Sequence, residues 1–307
     1  IPAKKLSEIV HELPSTSESG EPAKVKITTT ANDRVEIECE RANFKVVGLT
    51  DEEFPSLPDP DETFLTLNSN VLRQMIQKTI FAASTEETRH FLNGVYLASD
   101  DSILKMVATD GRRLAVVTES LDEPIRQKLG IIIPTKTVNN ITRIFTEEED
   151  IKIAVLENQV IFANKDIVLV SRLIEGEYPD YQAVINPVLK NEIIMKAKTD
   201  QLLSVIRRVS LLANPKTPSI KFEAHDEELT VTASTPELGE AREQMQVSID
   251  NGKIEIAFNA KFIIDVLKNI ETQDVILKFR DSLSPVLVTP SADNETNYLC
   301  IVMPMRL

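Results

Sequence analysis

Few side chains in these 307 residues are of a type and spacing that could do covalent chemistry. Cys39 and Cys300 are the only thiols, and their separation suits neither a disulfide framework nor a ligand pair. A reducing, cytoplasmic setting is the simpler expectation. His11, His90 and His225 are scattered with no ligand spacing around them, so no metal is expected. Acids cluster at 59–61, 100–101 and 147–150, where turns and solvated loops are expected. Asp110-Gly111, within ATDGRRLA, reads as a hairpin turn, with no partner base beside it. No phosphate-binding loop, dinucleotide fingerprint or nucleophile elbow occurs, and only eight glycines are available to build one. The sequence therefore offers no catalytic residue and calls for no cofactor. A hydrolase working through turn carboxylates lacks the required acid, base and electrophile together.

Binding is the better-supported chemistry. A net charge of −14 argues at first against a polyanionic partner. The distribution reverses that reading. Five stretches with helical periodicity, 3–12, 69–83, 135–146, 199–212 and 259–270, hold ten cations against four acids. Glu is about as good a helix former as Lys or Arg, so propensity does not explain its scarcity there. Solvated helices normally mix both signs. Here the polar faces read Asn70, Arg73, Gln74, Gln77, Lys78 and Lys136, Asn139, Asn140, Arg143. Cations and amides are the groups that meet phosphates. The expected phosphate-facing set is Arg73, Lys78, Lys136, Arg143, Arg207, Arg208, Lys261 and Lys268. No base-reading motif appears, and Trp is absent, so binding should be loose and independent of sequence.

The elements that must position these cations form a repeat. IPTKTVNNITRIF precedes DIKIAVL, QVIFAN and DIVLVSR; FNAKFIIDVLKNI precedes DVILKF, SPVLVTP and NYLCIVMPM. IPAKKLSEIVHELP opens a third such stretch. Units beginning FLTLNSNVLRQMIQKTIFAAS and IIMKAKTDQLLSVIRRVSLLA follow the same grammar. Asn68 or Ser69, and Thr199 or Asp200, are the expected N-caps. One helix with a few strands cannot close a core alone, whereas two such units can. Pairing from the C-terminus gives complete domains at 61–183 and 184–307 and leaves 1–60 as an unpaired half. A sixth unit is then expected ahead of Ile1. No apolar run approaches the roughly 20 residues of a membrane helix, and no basic-then-apolar leader is seen.

Three segments carry a family resemblance: ATDGRRLAV at 108–116, LIEGEYPDYQAV at 173–184 and YLCIVMPMRL at 298–307. With IPAKK near the start and FLNG at 91–94, the chain resembles the bacterial sliding clamps, the beta subunits of the replicative DNA polymerase, along essentially its whole length. The resemblance implies an α+β fold of repeated DNA-clamp domains. Each domain has two helix-plus-antiparallel-sheet units, with helices on the inner face and sheets on the outer face. It implies a non-catalytic homodimer ring, closed head to tail around duplex DNA. Polymerase subunits, the clamp loader and repair proteins would dock short extended peptides in a cleft between the second and third domains. By residue match that cleft comprises Leu92, Thr109, Gly111, Arg113, Leu114, Pro179, Val184, Val302, Met303, Pro304 and Met305, with Asn259, Phe262 and Arg306 at the rim. Ala183 and Thr217 stand where some relatives carry a large side chain, which implies a more open cleft. The resemblance also implies that the N-terminal half of the first domain is missing. The rival reading is an adaptor for proteins alone, with the cations merely solvated; DNA-dependent stimulation of a polymerase separates the two.

Overall fold

The computed structural model describes residues 1–30, 33–49, 52, 65–122, 124–125, 128–291 and 297–306. They divide into two compact units, Ile1–Pro58 and Asp59–Leu307. The expected boundary after residue 60, the acids at 59–61 and Leu307 lie outside the described residues.

The first unit holds helix α1 (Ala3–Glu12) and an antiparallel sheet of β1 (Lys26–Thr30), β2 (Arg34–Cys39) and β3 (Ala42–Val47), in that order. Ile37 and Cys39, two apart on β2, are its buried side chains on one face, as strand alternation requires.

The second unit contains four copies of one pattern. A strand leads into a helix, and three strands follow. The first copy is β4 (Leu65–Asn68), α2 (Ser69–Thr79), β5 (Gly94–Asp100), β6 (Ile103–Thr109) and β7 (Arg113–Ser120). The second is β8 (Gly130–Pro134), α3 (Thr135–Ile144), β9 (Asp150–Leu156), β10 (Gln159–Ala163) and β11 (Val168–Arg172). A short helix α4 (Gln182–Val188) intervenes. The third is β12 (Ile193–Lys198), α5 (Thr199–Val209), β13 (Ser219–His225), β14 (Glu228–Thr235) and β15 (Gly239–Gln246), followed by the short β16 (Ser248–Asp250). The fourth is β17 (Ile254–Asn259), α6 (Ala260–Leu267), β18 (Asp274–Phe279), β19 (Val286–Pro290) and β20 (Tyr298–Val302).

Pairing shows why no copy stands alone. Each leading strand joins the sheet of the neighbouring copy: β4 pairs with β9, β8 with β5, β12 with β18 and β17 with β13. Copies one and two are therefore interlocked, and so are three and four. The buried helix positions repeat at i, i+3, i+4 and i+7: Leu72, Met75, Ile76 and Thr79 in α2, then Leu202, Val205, Ile206 and Val209 in α5. Asn68 caps α2, its side chain accepting from the Asn70 amide at 2.9 Å. The cap expected at Thr199 or Asp200 is not there. Lys198 holds that place without a side-chain cap, and the Thr199 hydroxyl donates to the Thr272 carbonyl at 2.8 Å. A backbone acceptor across the domain satisfies the hydroxyl better than its own helix end.

The two halves of the second unit share one sheet. Its order is β16-β12-β18-β19-β20-β7-β6-β5-β8, and the β20–β7 seam pairs Tyr298 with Val117 through to Val302 with Arg113. One face carries part of the main core, where α2 packs on β6 and β7, α3 on β5 and β8, and α6 on β20, while α5 packs beside α6 on β14 and β15 of the separate sheet β15-β14-β13-β17. The opposite face holds a second cluster, Val107, Leu114, Val116, Leu287, Leu299 and Ile301, covered by Ile185 and Val188 of α4 with Tyr96, Tyr178 and Tyr181 against it. The domain boundary expected between 183 and 184 thus falls inside a helix that lies over the seam.

Candidate functional site

Two surfaces of the second unit carry the groups singled out in the sequence. On the helix face, Asn70, Arg73, Gln74 and Gln77 of α2 meet Asn139 and Thr142 of α3 around a hollow of about 480 Å³. Lys136, Arg143, Arg207, Lys261 and Lys268 are exposed. Three of the expected phosphate-binding side chains have partners within the chain. Arg73 is half-buried and donates to the Asn70 side chain. Lys78 is half-buried, with its Nζ 5.8 Å from the Tyr298 ring centroid. Arg208 bonds Glu243 on β15, with Nε 3.0 Å from Oε2. That hydrogen bond raises the Arg208 pKa and holds the Glu243 carboxyl below its ordinary range. The stabilisation from a depressed carboxylate is present above its ordinary value of 4.5 and is lost as pH falls through the lower folded value. Replacing Arg208 with alanine should move the Glu243 carboxyl titration upward, followed by carboxyl-carbon NMR. An unmoved titration would show that the pair does not persist in solution.

The second surface lies at the seam. The ATDGRRLA hairpin turns at Gly111, whose φ of +84° suits glycine; a Cβ there would sit 2.8 Å from Nη1 of Arg89. Asp110 Oδ1 accepts from the amides of Arg112 (2.8 Å) and Arg113 (3.0 Å), and Thr109 donates its hydroxyl to the Arg113 carbonyl at 2.6 Å. This fixed turn starts β7 with Arg113 directed to the helix face. The Arg113 guanidinium donates from Nε to Asp110 Oδ2 (3.1 Å) and from Nη1 to Asp265 Oδ2 in α6 (2.7 Å). It also lies 4.7 Å from the Phe262 ring centroid and 5.5 Å from that of Phe81. Arg113 therefore clasps the two halves at the seam.

Three other members of the expected cleft are as little exposed. Val302 is 0% exposed, Leu92 and Leu114 are buried, and only 8% of the Arg113 side chain is accessible. Strand pairing holds Arg113, Leu114 and Val302 in the sheet, and Leu92 ends a short 3-10 turn ahead of β5. The accessible members are Pro179, Val184 (41% exposed), Met303 (39% exposed), Gly111 and Arg306; Thr109, Pro304 and Met305 are half-buried. Asn259 caps α6, accepting from the Lys261 amide at 3.0 Å, and Phe262 packs on Arg113. The tail is stitched to both halves. The Met303 amide donates to Arg112 O (2.9 Å) and the Met305 amide to Ala257 O (2.8 Å).

Sequence reading missed Asp265, Phe81 and the tyrosines. Asp265 had a signal, as the single acid in α6. Tyr96 and Tyr178 stack with ring centroids 4.8 Å apart, and Tyr181 meets Tyr96 edge-on at 6.3 Å. Burial pushes the Tyr178 phenol well above its ordinary pKa. This trio seats the 178–181 segment on the sheet and so sets where Pro179 and Val184 stand. Among the described residues, no group of three or more His, Cys, Asp or Glu is placed to hold a metal ion, and no helix is long and apolar enough to cross a membrane.

Comparison with known proteins agrees with this geometry. Residues 66–180 match the central domain of the DNA polymerase III beta subunit, and 188–306 match its C-terminal domain. The beta sliding clamp of Haemophilus influenzae is 33% identical, over 100% of this chain and 81% of its own length. The crystal structure of the Bacillus subtilis sliding clamp superposes with a TM-score of 0.89 at 30% identity, covering 99% of this chain and 79% of that one. A Pseudomonas aeruginosa clamp bound to griselimycin superposes with a TM-score of 0.86 at 29% identity, covering 100% and 81%.

Interlocked α/β units with paired cationic helices, matched by these relatives, define a non-catalytic processivity clamp for DNA replication. The segment between the two matched domains, 181–187, coincides almost wholly with α4. The chain belongs to the DNA polymerase III beta subunit family, the bacterial sliding clamps.

Proposed function

We propose that this chain lays duplex DNA along the face bearing α2, α3, α5 and α6 and captures partner proteins at the β20–β7 seam. The observation that carries the DNA half is that the four helices pack in pairs, α2 with α3 and α5 with α6, with exposed Lys136, Arg143, Arg207, Lys261 and Lys268 among them. Asp265, one of the two acids in these helices, is neutralised by Arg113. Cations meeting phosphates without reading bases give weak, salt-sensitive association, which suits a protein retained by encirclement. In this reading residues 61–183 and 184–307 are the second and third clamp domains, and 1–60 belongs to the first. Two chains close head to tail into a cytoplasmic homodimer ring. Polymerase subunits, the clamp loader and repair proteins insert short peptides against Pro179, Val184, Met303 and Met305. A relative that binds griselimycin supports a ligand-receptive clamp surface.

The test is duplex binding at low salt, read by fluorescence anisotropy. Reversing Lys136, Arg143, Arg207 and Lys261 to glutamate should weaken binding and flatten its dependence on log salt by about 0.9 for each phosphate no longer neutralised. Lys165→Glu, in the β10–β11 turn, should leave both unchanged. Equal weakening by the two variants would remove the helix face from the DNA and favour the protein-only adaptor.

A further inference from the structure

A cavity of about 320 Å³ lies under the far flank of α4, away from the expected peptide cleft, with which it shares no lining residue. Its floor is the outer face of the seam: Val116 and Thr118 of β7, Leu299 of β20, Leu287 and Thr289 of β19. Its roof is Gln182, Ile185 and Leu189, which stand at i, i+3 and i+7 on one face of the helix and its C-terminal end. Lys105 and Lys278 complete the lining. Register places both lysines on this same sheet face, since Lys105 pairs with Thr118 and Lys278 with Leu287.

Thr289 is the informative residue. It is 3% exposed, and its Oγ1 is buried with no hydrogen-bond partner. Among the described residues the other buried threonines, Thr79, Thr137, Thr199, Thr230 and Thr235, all have side-chain hydrogen bonds. Buried hydroxyls are normally satisfied, and leaving one unmade is costly. An apolar chamber with one unused hydroxyl and lysines at its margin is complementary to an anion with an apolar body.

We propose that this cavity is a binding site for a small amphiphilic carboxylate, its chain lodged between α4 and the sheet and its head at Lys105 or Lys278. The volume suits an acyl chain of roughly eight carbons, near the lower limit of small-molecule pockets. Because α4 joins the two matched domains and carries Val184 on its peptide-side flank, an occupant would bear on the seam itself.

Octanoate, below its micellar concentration, is the probe, titrated into the full chain and followed by methyl NMR. Shifts are expected at Ile185, Leu189, Leu287 and Leu299. Octanol should bind about ten-fold more weakly, because it cannot make the charge-assisted hydrogen bond, and octylamine should not bind. Thr289→Val should weaken octanoate by about ten-fold or more, the weight of a hydroxyl hydrogen bond to a charged carboxylate. Lys105→Glu, a change at the rim that leaves the core intact, should weaken it further. Shifts confined to Val184 and Met303, equal binding of the three probes, or indifference to both substitutions would each overturn the assignment.

Discussion

Arg113→Ala is expected to destabilise the second unit by about 3 kcal/mol, the lower end of the range for removing one partner from a buried ion pair. Three contributions disappear together. Asp110 and Asp265 lose their shared cation, at 3.1 and 2.7 Å, in a site where the arginine side chain is 8% exposed. Phe81 and Phe262 lose the guanidinium that lies against both rings. The packing of a long side chain beside the β20–β7 seam also goes. Arg113→Lys should recover only part of the stability. An ammonium is a point donor and cannot reproduce the planar fork that reaches two carboxylates and faces two rings. Adding Asp265→Leu to Arg113→Met should restore stability above the single Arg113→Met variant, since the charge left unpaired in α6 is then gone. Urea unfolding checks all four variants. A destabilisation below about 1 kcal/mol for Arg113→Ala would be that of a surface pair, and the clasp would then be refuted.

This clasp marks the limit of what the sequence could reveal. Periodicity exposed the helices and strands, because 3.6-residue and two-residue spacing follow directly from which side of an element is buried. The repeat was legible for the same reason. Partner choice was not. That β4 belongs with β9, and β8 with β5, depends on hydrogen bonds that leave no trace in the spacing of Leu65 and Leu67 or of Ile131 and Ile133. Helix α4 was hidden by Pro187, which usually ends a helix and here sits inside its last turn. Resemblance places Arg113 in the cleft, but burial of its charge needs partners that spacing does not reveal. One of them, Asp265, lies 152 positions along the chain. The family resemblance pointed to the stretch of chain at the seam, yet it could not say which of its side chains face outward.

The segment Val302–Met305 shows that difference most sharply, and it yields the largest expected effect on partner binding. Met303→Glu should lower affinity for a short extended partner peptide by about 2–4 kcal/mol, roughly 30- to 1,000-fold, as expected when a charge is placed in a peptide-binding hot spot. The backbone would be untouched, because Met303 is held through its amide to Arg112 O and Met305 through its amide to Ala257 O. Stability should therefore change by less than about 0.5 kcal/mol, the range of surface substitutions. Val302→Ala should do the reverse. Its side chain is 0% exposed in the main core, between Val286 and Arg113 across the strands. Truncation there costs about 2 kcal/mol of stability through the missing methyls and the cavity left behind. Peptide affinity, measured by anisotropy on folded protein, should stay within a few-fold of the parent. The two neighbouring positions thus separate by one measurement each, because a strand sends consecutive side chains to opposite sides and the chain leaves the sheet after Val302. If Met303→Glu retains full peptide affinity, partners do not dock on this tail, and the peptide half of the proposed function fails even with the fold intact.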